Sequence, residues 1–100
     1  MTTSPRRVIR VFPSAARRWP LWETGTDAYT TTPRDYGLSP ELTKRMREWF
    51  DAWEIGFDYN LDRPQWRPGH EAPWLVEGAI VVEKLREEVR EFADVEWSHD

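Results

Sequence analysis

Two segments of the sequence carry apolar residues at helical spacing, and they constrain the fold more than any other feature. The first begins at Ser39, which can cap the free amides of a helix, and continues with Pro40, which fits the first helical position. Apolar residues then recur at i, i+4, i+7, i+8 and i+11, which predicts one buried stripe that ends near Gly56. The stripe consists of Leu42, Met46, Trp49, Phe50 and Trp53.

The second segment runs from about Pro73 or Trp74 to Phe92 and contains a seam that steps by three and four residues. A seam with this period faces a partner helix, so we expect an antiparallel two-helix hairpin. Gly78 lies in the seam and costs about 1 kcal/mol of helix propensity relative to alanine, which close approach of another backbone would offset. The seam consists of Leu75, Gly78, Val82, Leu85, Val89 and Phe92.

Short stretches typical of β-strands lie near both ends of the chain. Residues 7–12 are β-branched and aromatic and are followed by Pro13, whereas residues 94–97 alternate polar and apolar side chains. Counting element directions through the helix pair brings the second strand against the first in the opposite sense. The sequence therefore predicts an α+β fold, in which the two-helix hairpin packs on a short two-stranded antiparallel ribbon.

The segment between the first strand and the first helix has the chemistry of turns. Residues 13–38 hold three prolines, two glycines and a threonine-rich stretch without a sustained period, which predicts a long irregular loop. Residues 1–5 have the composition of a flexible start. The length of the chain fits one domain, which we place at residues 6–98.

Seven of the 100 residues are tryptophan, although 32% of the residues are charged. So polar a chain depends on large aromatic side chains to build a core. Trp49, Trp53 and Trp97 fall on regular apolar faces and are expected in that core. The other four lie in loops or at a helix start, where they either cover the ends of a thin core or anchor a protein interface. These four candidate binding residues are Trp19, Trp22, Trp66 and Trp74.

The formal net charge is −4, but the charges are unevenly distributed. Residues 1–22 hold five arginines and no acid, whereas residues 71–100 hold nine acids and three bases. We expect the two ends of the chain to lie close together, with their opposite charges offsetting each other. An acidic body repels a polyanion, which disfavours nucleic acid as a partner. The second helix offers a basic protein partner the carboxylates of Glu87, Glu88 and Glu91.

Residues suited to catalysis or metal binding do not converge on one site. The chain has no cysteine, and its one match to a calcium loop, which starts at Asp58, fails where Arg63 and Gly69 replace the required glycine and glutamate. We therefore expect no catalytic residue, metal or cofactor. The alternative is a small-molecule-binding protein or enzyme with an aromatic pocket around Trp19, Trp22, Trp66 and His70.

Several of these motifs occur together in one known group of proteins. The Trp-Pro-Leu-Trp motif of residues 19–22, the Gly-Leu-Ser-Pro-Glu-Leu motif of residues 37–42, the helix through residues 49–53 and the acidic helix before a short Val/Trp strand resemble small actinobacterial proteins of unassigned function. The resemblance implies a cytoplasmic bacterial protein and supplies no catalytic residue.

The sequence favours a non-enzymatic protein-interaction module. Its small size and acidic charge resemble those of immunity proteins and antitoxins, which makes such a role its most concrete form. No run of about 18 apolar residues occurs, so a membrane partner is not expected, and the absence of cysteine fits the cytoplasm. The β ribbon, which is marginally stable alone, makes a homodimer a further alternative.

Overall fold

The computed structural model describes residues 6–15, 18–23, 31–60 and 62–99. The predicted flexible start at residues 1–5 lies outside the described residues. Within them, the two helices are α1 (Pro40–Gly56) and α2 (Glu71–Val89), and a 3-10 helix spans Pro33–Tyr36. The strands are β1 (Arg7–Val11), β2 (Leu21–Glu23), β3 (Phe57–Asp58), β4 (Gln65–Trp66) and β5 (Ala93–Trp97).

The α+β class is confirmed, but the main sheet differs from the predicted ribbon. It has three strands in the order β2-β1-β5, and β5 pairs with β1 in parallel rather than antiparallel. The unpredicted strand β2 explains the difference, because it pairs antiparallel with β1 and so reverses the chain once more before α1 begins. With that extra reversal, β5 returns in the same sense as β1.

The sequence of β2 gives little indication of a strand, because β2 is only three residues long and follows Pro20 directly. Its extended conformation comes from pairing, with Leu21 opposite Val11 and Glu23 opposite Ile9. The described residues of the segment from 13 to 38 are thus less irregular than predicted, whereas residues 16–17 and 24–30, which include most of the threonine-rich stretch, lie outside the described residues. A second small ladder, β3 with β4, joins the two helices at residues for which the sequence predicts only a linker.

The two helices run antiparallel, as predicted. Near one end of the pair, the carboxylate of Glu88 accepts hydrogen bonds from the backbone N–H and the hydroxyl of Ser39, at 2.7 and 2.6 Å. Near the other end, Gly56 lies directly against His70. The Ser39 hydroxyl also accepts from the N–H of Leu42 at 3.2 Å, which confirms the predicted cap.

Both helices lie on one face of the three-stranded sheet. Residues on that face alternate with exposed ones, so that Ile9, Val11, Val95 and Trp97 are buried among the helix side chains. All residues of the predicted stripe of α1 are buried, and Trp49, Trp53 and Trp97 are core residues, as expected. The helix seam is buried from Gly78 to Val89, whereas Leu75 is half-buried. The predicted end of the helix at Phe92 was wrong, because α2 ends at Val89 and Phe92 lies in the turn that follows.

Gly78 lies where the two layers meet. A Cβ placed on Gly78 would stand 2.7 Å from Cζ2 of Trp97 and 2.9 Å from Cζ2 of Trp49. The close approach is therefore made by two indole rings and not by a second backbone. The rings of these tryptophans occupy the space that a side chain would need, so glycine lets α2 settle onto both of them.

The outer face of the sheet brings the two ends of the chain together. The guanidinium of Arg6 pairs with Asp94 at 3.1 Å, and that of Arg10 lies 4.0 Å from Glu96. Arg6 also donates to the backbone carbonyls of Arg90 and Ala93, each at 2.8 Å. The expected proximity of the basic and acidic ends is confirmed for these residues.

A polar cluster fastens β2 to β1 and the 3-10 helix. Arg7 donates to the carboxylate of Glu23 at 2.8 Å, and the Tyr36 hydroxyl donates to the same carboxylate at 3.1 Å. Burial, and secondarily the negative charge of Glu23, raises the pKa of Tyr36 to about 12. The hydroxyl of Thr31 donates to the backbone carbonyl of Leu21, which holds the free edge of β2.

Candidate functional site

Helix α2 has a second periodic surface on the side opposite its buried seam. Val76, Ile80, Glu83 and Glu87 recur at i, i+4, i+7 and i+11 and are all exposed, which defines the outer face of α2. This face extends for about 17 Å along the helix at 1.5 Å per residue. Its first half is apolar, with Val76 65% and Ile80 36% exposed, and its second half is acidic.

The acidic half of the outer face of α2 is unpaired. Within the described ranges, Glu83 and Glu87 form no ion pair, and neither does Glu91 in the turn after the helix. Glu88 differs, since both its oxygens accept hydrogen bonds from Ser39 and hold the start of α1. Of the three predicted acidic residues, Glu87 and Glu91 are exposed and have no ion-pair partner among the described residues, whereas Glu88 has a structural role.

The carboxylates of Glu83 and Glu87 lie at positions where they destabilise helix α2 in the free protein. Glu87 lies in the last turn of α2, where the negative end of the helix dipole repels a carboxylate. Glu83 and Glu87 also stand at i and i+4, where like charges repel each other. Groups that lower the stability of the free protein are typical of surfaces kept for binding.

The structure places the four candidate tryptophans in different surroundings. Trp74 is 5% exposed, stacks on Trp49 with 4.4 Å between ring centroids, and donates its Nε1–H to the Trp49 carbonyl at 3.1 Å. It is thus a core residue, because α2 begins at Glu71, earlier than predicted, and so includes Trp74 on its buried side, four residues before Gly78.

The other three candidates are half-buried at separate places. Trp22 stacks on Phe12 with a centroid distance of 4.5 Å, and Trp66 meets the ring of Phe57 edge-on at 5.4 Å. Trp19 lies beneath the guanidinium of Arg47, 5.8 Å from the ring centroid. Trp19 and Trp66 pack against the core, Trp22 packs on Phe12 at the outer face of the sheet, and each of the three retains an exposed portion.

The predicted aromatic pocket does not form among the described residues. His70 is exposed and lines a cleft of about 590 Å³ between α1 and α2, whereas Trp19 lines a different cleft of about 460 Å³. Trp22 and Trp66 line neither of them. The four residues therefore do not share one cavity, because they lie on separate elements that pack on different sides of the core.

The larger cleft is lined by acidic and basic side chains, most of which pair with each other. Arg45 donates to both oxygens of Glu77, with the Nη2–Oε1 bond at 3.0 Å, and Lys44 lies 4.0 Å from Glu48. This pairing raises the pKa of Arg45, chiefly through the hydrogen bond to Glu77. In the part of the chain that the structure describes, no group of three or more acidic or histidine side chains could hold a metal ion.

Besides Glu83, Val76 and Ile80 are the residues of the candidate site that the sequence prediction missed. Both fall outside the heptad seam, yet their spacing of four residues on the side opposite the seam is a signal present in the sequence. An exposed i, i+4 pair of β-branched residues beside a run of glutamates marks a second, unpartnered helix face.

These observations define a small α+β protein with an exposed helix face, half apolar and half acidic, of the kind that contacts another protein. A family model described as Serratia CdiI immunity protein-like matches residues 7–100. The chain belongs to this immunity protein-like family. No match was found among curated proteins or among solved structures. None of the helices in the described ranges is both long and apolar enough to cross a membrane.

Proposed function

We propose that this protein is an immunity protein that binds a cognate toxin through the outer face of α2, and that the toxin presents a basic surface to it. CdiI immunity proteins bind a partner protein, the toxin, and the chain belongs to a family of that type. The observation that carries the proposal is that Glu83 and Glu87, on an exposed helix face, form no ion pair with any residue that the structure describes. Carboxylates without an internal partner complement a cationic surface.

The proposed contact first raises the rate at which this protein associates with the toxin. Unpaired surface carboxylates extend their field over about 8 Å at physiological salt, and this field draws in and orients a basic protein. A toxin that acts on nucleic acid carries such a basic surface, because it must bind phosphates. Binding of the acidic helix to that surface would keep the toxin from its substrate.

A charge-reversal experiment tests the proposed function. The double variant Glu83→Lys, Glu87→Lys is expected to slow association with the purified cognate toxin, which is to be sought among the products of the neighbouring genes, by about tenfold or more at low salt. The matched control is Glu54→Lys, Asp62→Lys, which changes the net charge equally at exposed positions away from the outer face of α2. The association rates are measured by surface plasmon resonance over a range of salt concentrations.

The same variants separate binding from folding. The two lysines relieve like-charge repulsion and suit the C-terminal end of a helix. We therefore expect the urea midpoint of unfolding of the Glu83→Lys, Glu87→Lys variant to equal that of wild type or to lie slightly above it. Equal slowing of association by both double variants would mean that only net charge matters, and would contradict the assignment of the surface to α2.

A further inference from the structure

We infer that the apolar half of the outer face of α2 is the anchor of the interface, with Val76 and Ile80 seated in an apolar groove of the toxin whose rim is cationic. The inference rests on the proposed function and extends it, since it names the shape and chemistry of the surface that the partner must present. In this arrangement the glutamates set the association rate and the apolar residues set the dissociation rate.

The first observation is that these side chains remain accessible on a helix whose opposite side is filled by the core. Val76 is 65% exposed and Ile80 36%, while the seam of α2 buries Gly78, Val82 and Leu85 on the opposite side. The neighbouring exposed residues Ala72 and Ala79 are small. An apolar ridge of this kind, with a low flank on the side of these alanines, suits insertion of one helix face into a groove.

The second observation is that the apolar half continues directly into unpaired acidic residues. Ile80 is followed by Glu83 and Glu87 on the same face, so a groove that accepts the ridge must end in a region that accepts carboxylates. Charge complementarity therefore selects a groove with cationic side chains at one end. Aromatic or aliphatic anchors surrounded by charged rims carry most of the affinity at such interfaces.

The charge pattern also argues against a second copy of this chain as the occupant. Two outer faces packed antiparallel would bring Glu87 of one copy against the Val76 region of the other, which would bury carboxylates without a cation. Packed in parallel, they would oppose Glu83 to Glu83 and Glu87 to Glu87. Both arrangements desolvate like or unpaired charges at a net cost.

Isoleucine-to-serine substitutions at two exposed positions provide a matched test. Ile80→Ser removes the proposed anchor, and Ile55→Ser makes the same change at an exposed isoleucine of α1, 66% accessible in the free protein. We expect Ile80→Ser to raise the dissociation rate from the cognate toxin at least tenfold and to leave the association rate within about threefold. Ile55→Ser should leave both rates unchanged. Val76→Ser should act in the same direction as Ile80→Ser.

Each of the other possible results contradicts the inference, alone or together with the proposed function. If wild type binds the toxin and Ile80→Ser dissociates at the wild-type rate, the apolar anchor is refuted while the proposed function stands. If wild type does not bind the toxin, both are refuted. A wild-type dimer in analytical ultracentrifugation that Ile80→Ser dissociates and Ile55→Ser does not would assign the apolar ridge to a second copy, and would overturn the inference. Circular dichroism checks that each variant is folded.

Discussion

Replacement of Trp49 by alanine is expected to lower the free energy of unfolding by about 3 to 5 kcal/mol, which is a large part of the roughly 5 to 15 kcal/mol typical of native proteins. Trp49 is 1% exposed and lies between the stacked ring of Trp74 and the edge of Trp97, at centroid distances of 4.4 and 6.2 Å. Its Nε1–H also donates to the Trp74 carbonyl at 2.9 Å, and alanine would remove this buried hydrogen bond between the two helices. Urea unfolding followed by circular dichroism measures the loss.

Trp22→Ala is the matched control because it removes the same side chain from the outer face of the sheet, where the ring is half-buried against Phe12. We expect it to cost no more than about 2 kcal/mol, since less apolar area leaves contact. If Trp49→Ala does not fold, Trp49→Phe supplies a measurable intermediate value. A larger loss for Trp22→Ala than for Trp49→Phe would contradict the assignment of Trp49 as the centre of the core.

The second large effect is expected at Gly78, where Gly78→Val should destabilise the protein by about 3 kcal/mol or more. Its Cβ would lie within 2.7 Å of Trp97 and 2.9 Å of Trp49, and both rings are enclosed on their other sides. Gly78→Ala gains about 1 kcal/mol of helix propensity, but we expect the collision to exceed that gain. The measurement is the urea midpoint of each variant.

Ala79→Val provides the comparison for Gly78→Val, because it places valine at the adjacent, exposed position of the same helix. At position 79 we expect the free energy of unfolding to fall by less than about 1 kcal/mol, because only the lower helix propensity of valine relative to alanine acts there. If Gly78→Ala were instead more stable than wild type, the rings would have room for a Cβ and the packing described at this position would be incorrect.

The helices were predictable from the sequence because their signals are local. Ser39 and Pro40 mark the start of α1, and the apolar periods of both helices need only neighbouring residues to be recognised. Strand β2 was not predictable in this way, since its three residues become extended only by pairing with β1, ten residues away. Missing that one strand also reversed the predicted sense of β5, which shows how a short non-local element controls topology.

The candidate site was only partly predictable. The carboxylate of Glu87 is exposed as expected, but the role of Glu88 depends on Ser39, which is 49 residues distant in the sequence. Trp74 illustrates the same limit, because an early helix start turned a proposed anchor into a core residue. Val76 and Ile80 carried a readable spacing, yet two exposed apolar residues acquire meaning only when the opposite face of the helix is seen to be filled.

The seven tryptophans that compensate for a highly charged composition therefore do not all serve one purpose. Four of them are buried: Trp49, Trp53, Trp74 and Trp97. Trp49 and Trp74 also join α1 to α2, because the indole N–H of each donates to the backbone carbonyl of the other. Because these contacts fix α2 against the core, its outer face can carry repelling carboxylates and exposed apolar side chains at modest cost. Rigid support of this kind preorganises a binding surface.

Thiol labelling tests most directly whether the outer face of α2 contacts the toxin, because the natural chain has no cysteine. Single substitutions Ile80→Cys and Glu87→Cys report on that face, and Ile55→Cys and Glu96→Cys report on exposed positions of α1 and the sheet. With saturating cognate toxin, we expect maleimide labelling at positions 80 and 87 to slow at least tenfold and labelling at 55 and 96 to stay unchanged. Unchanged labelling at 80 and 87, with protection at 55 or 96, would place the interface elsewhere and contradict the assignment.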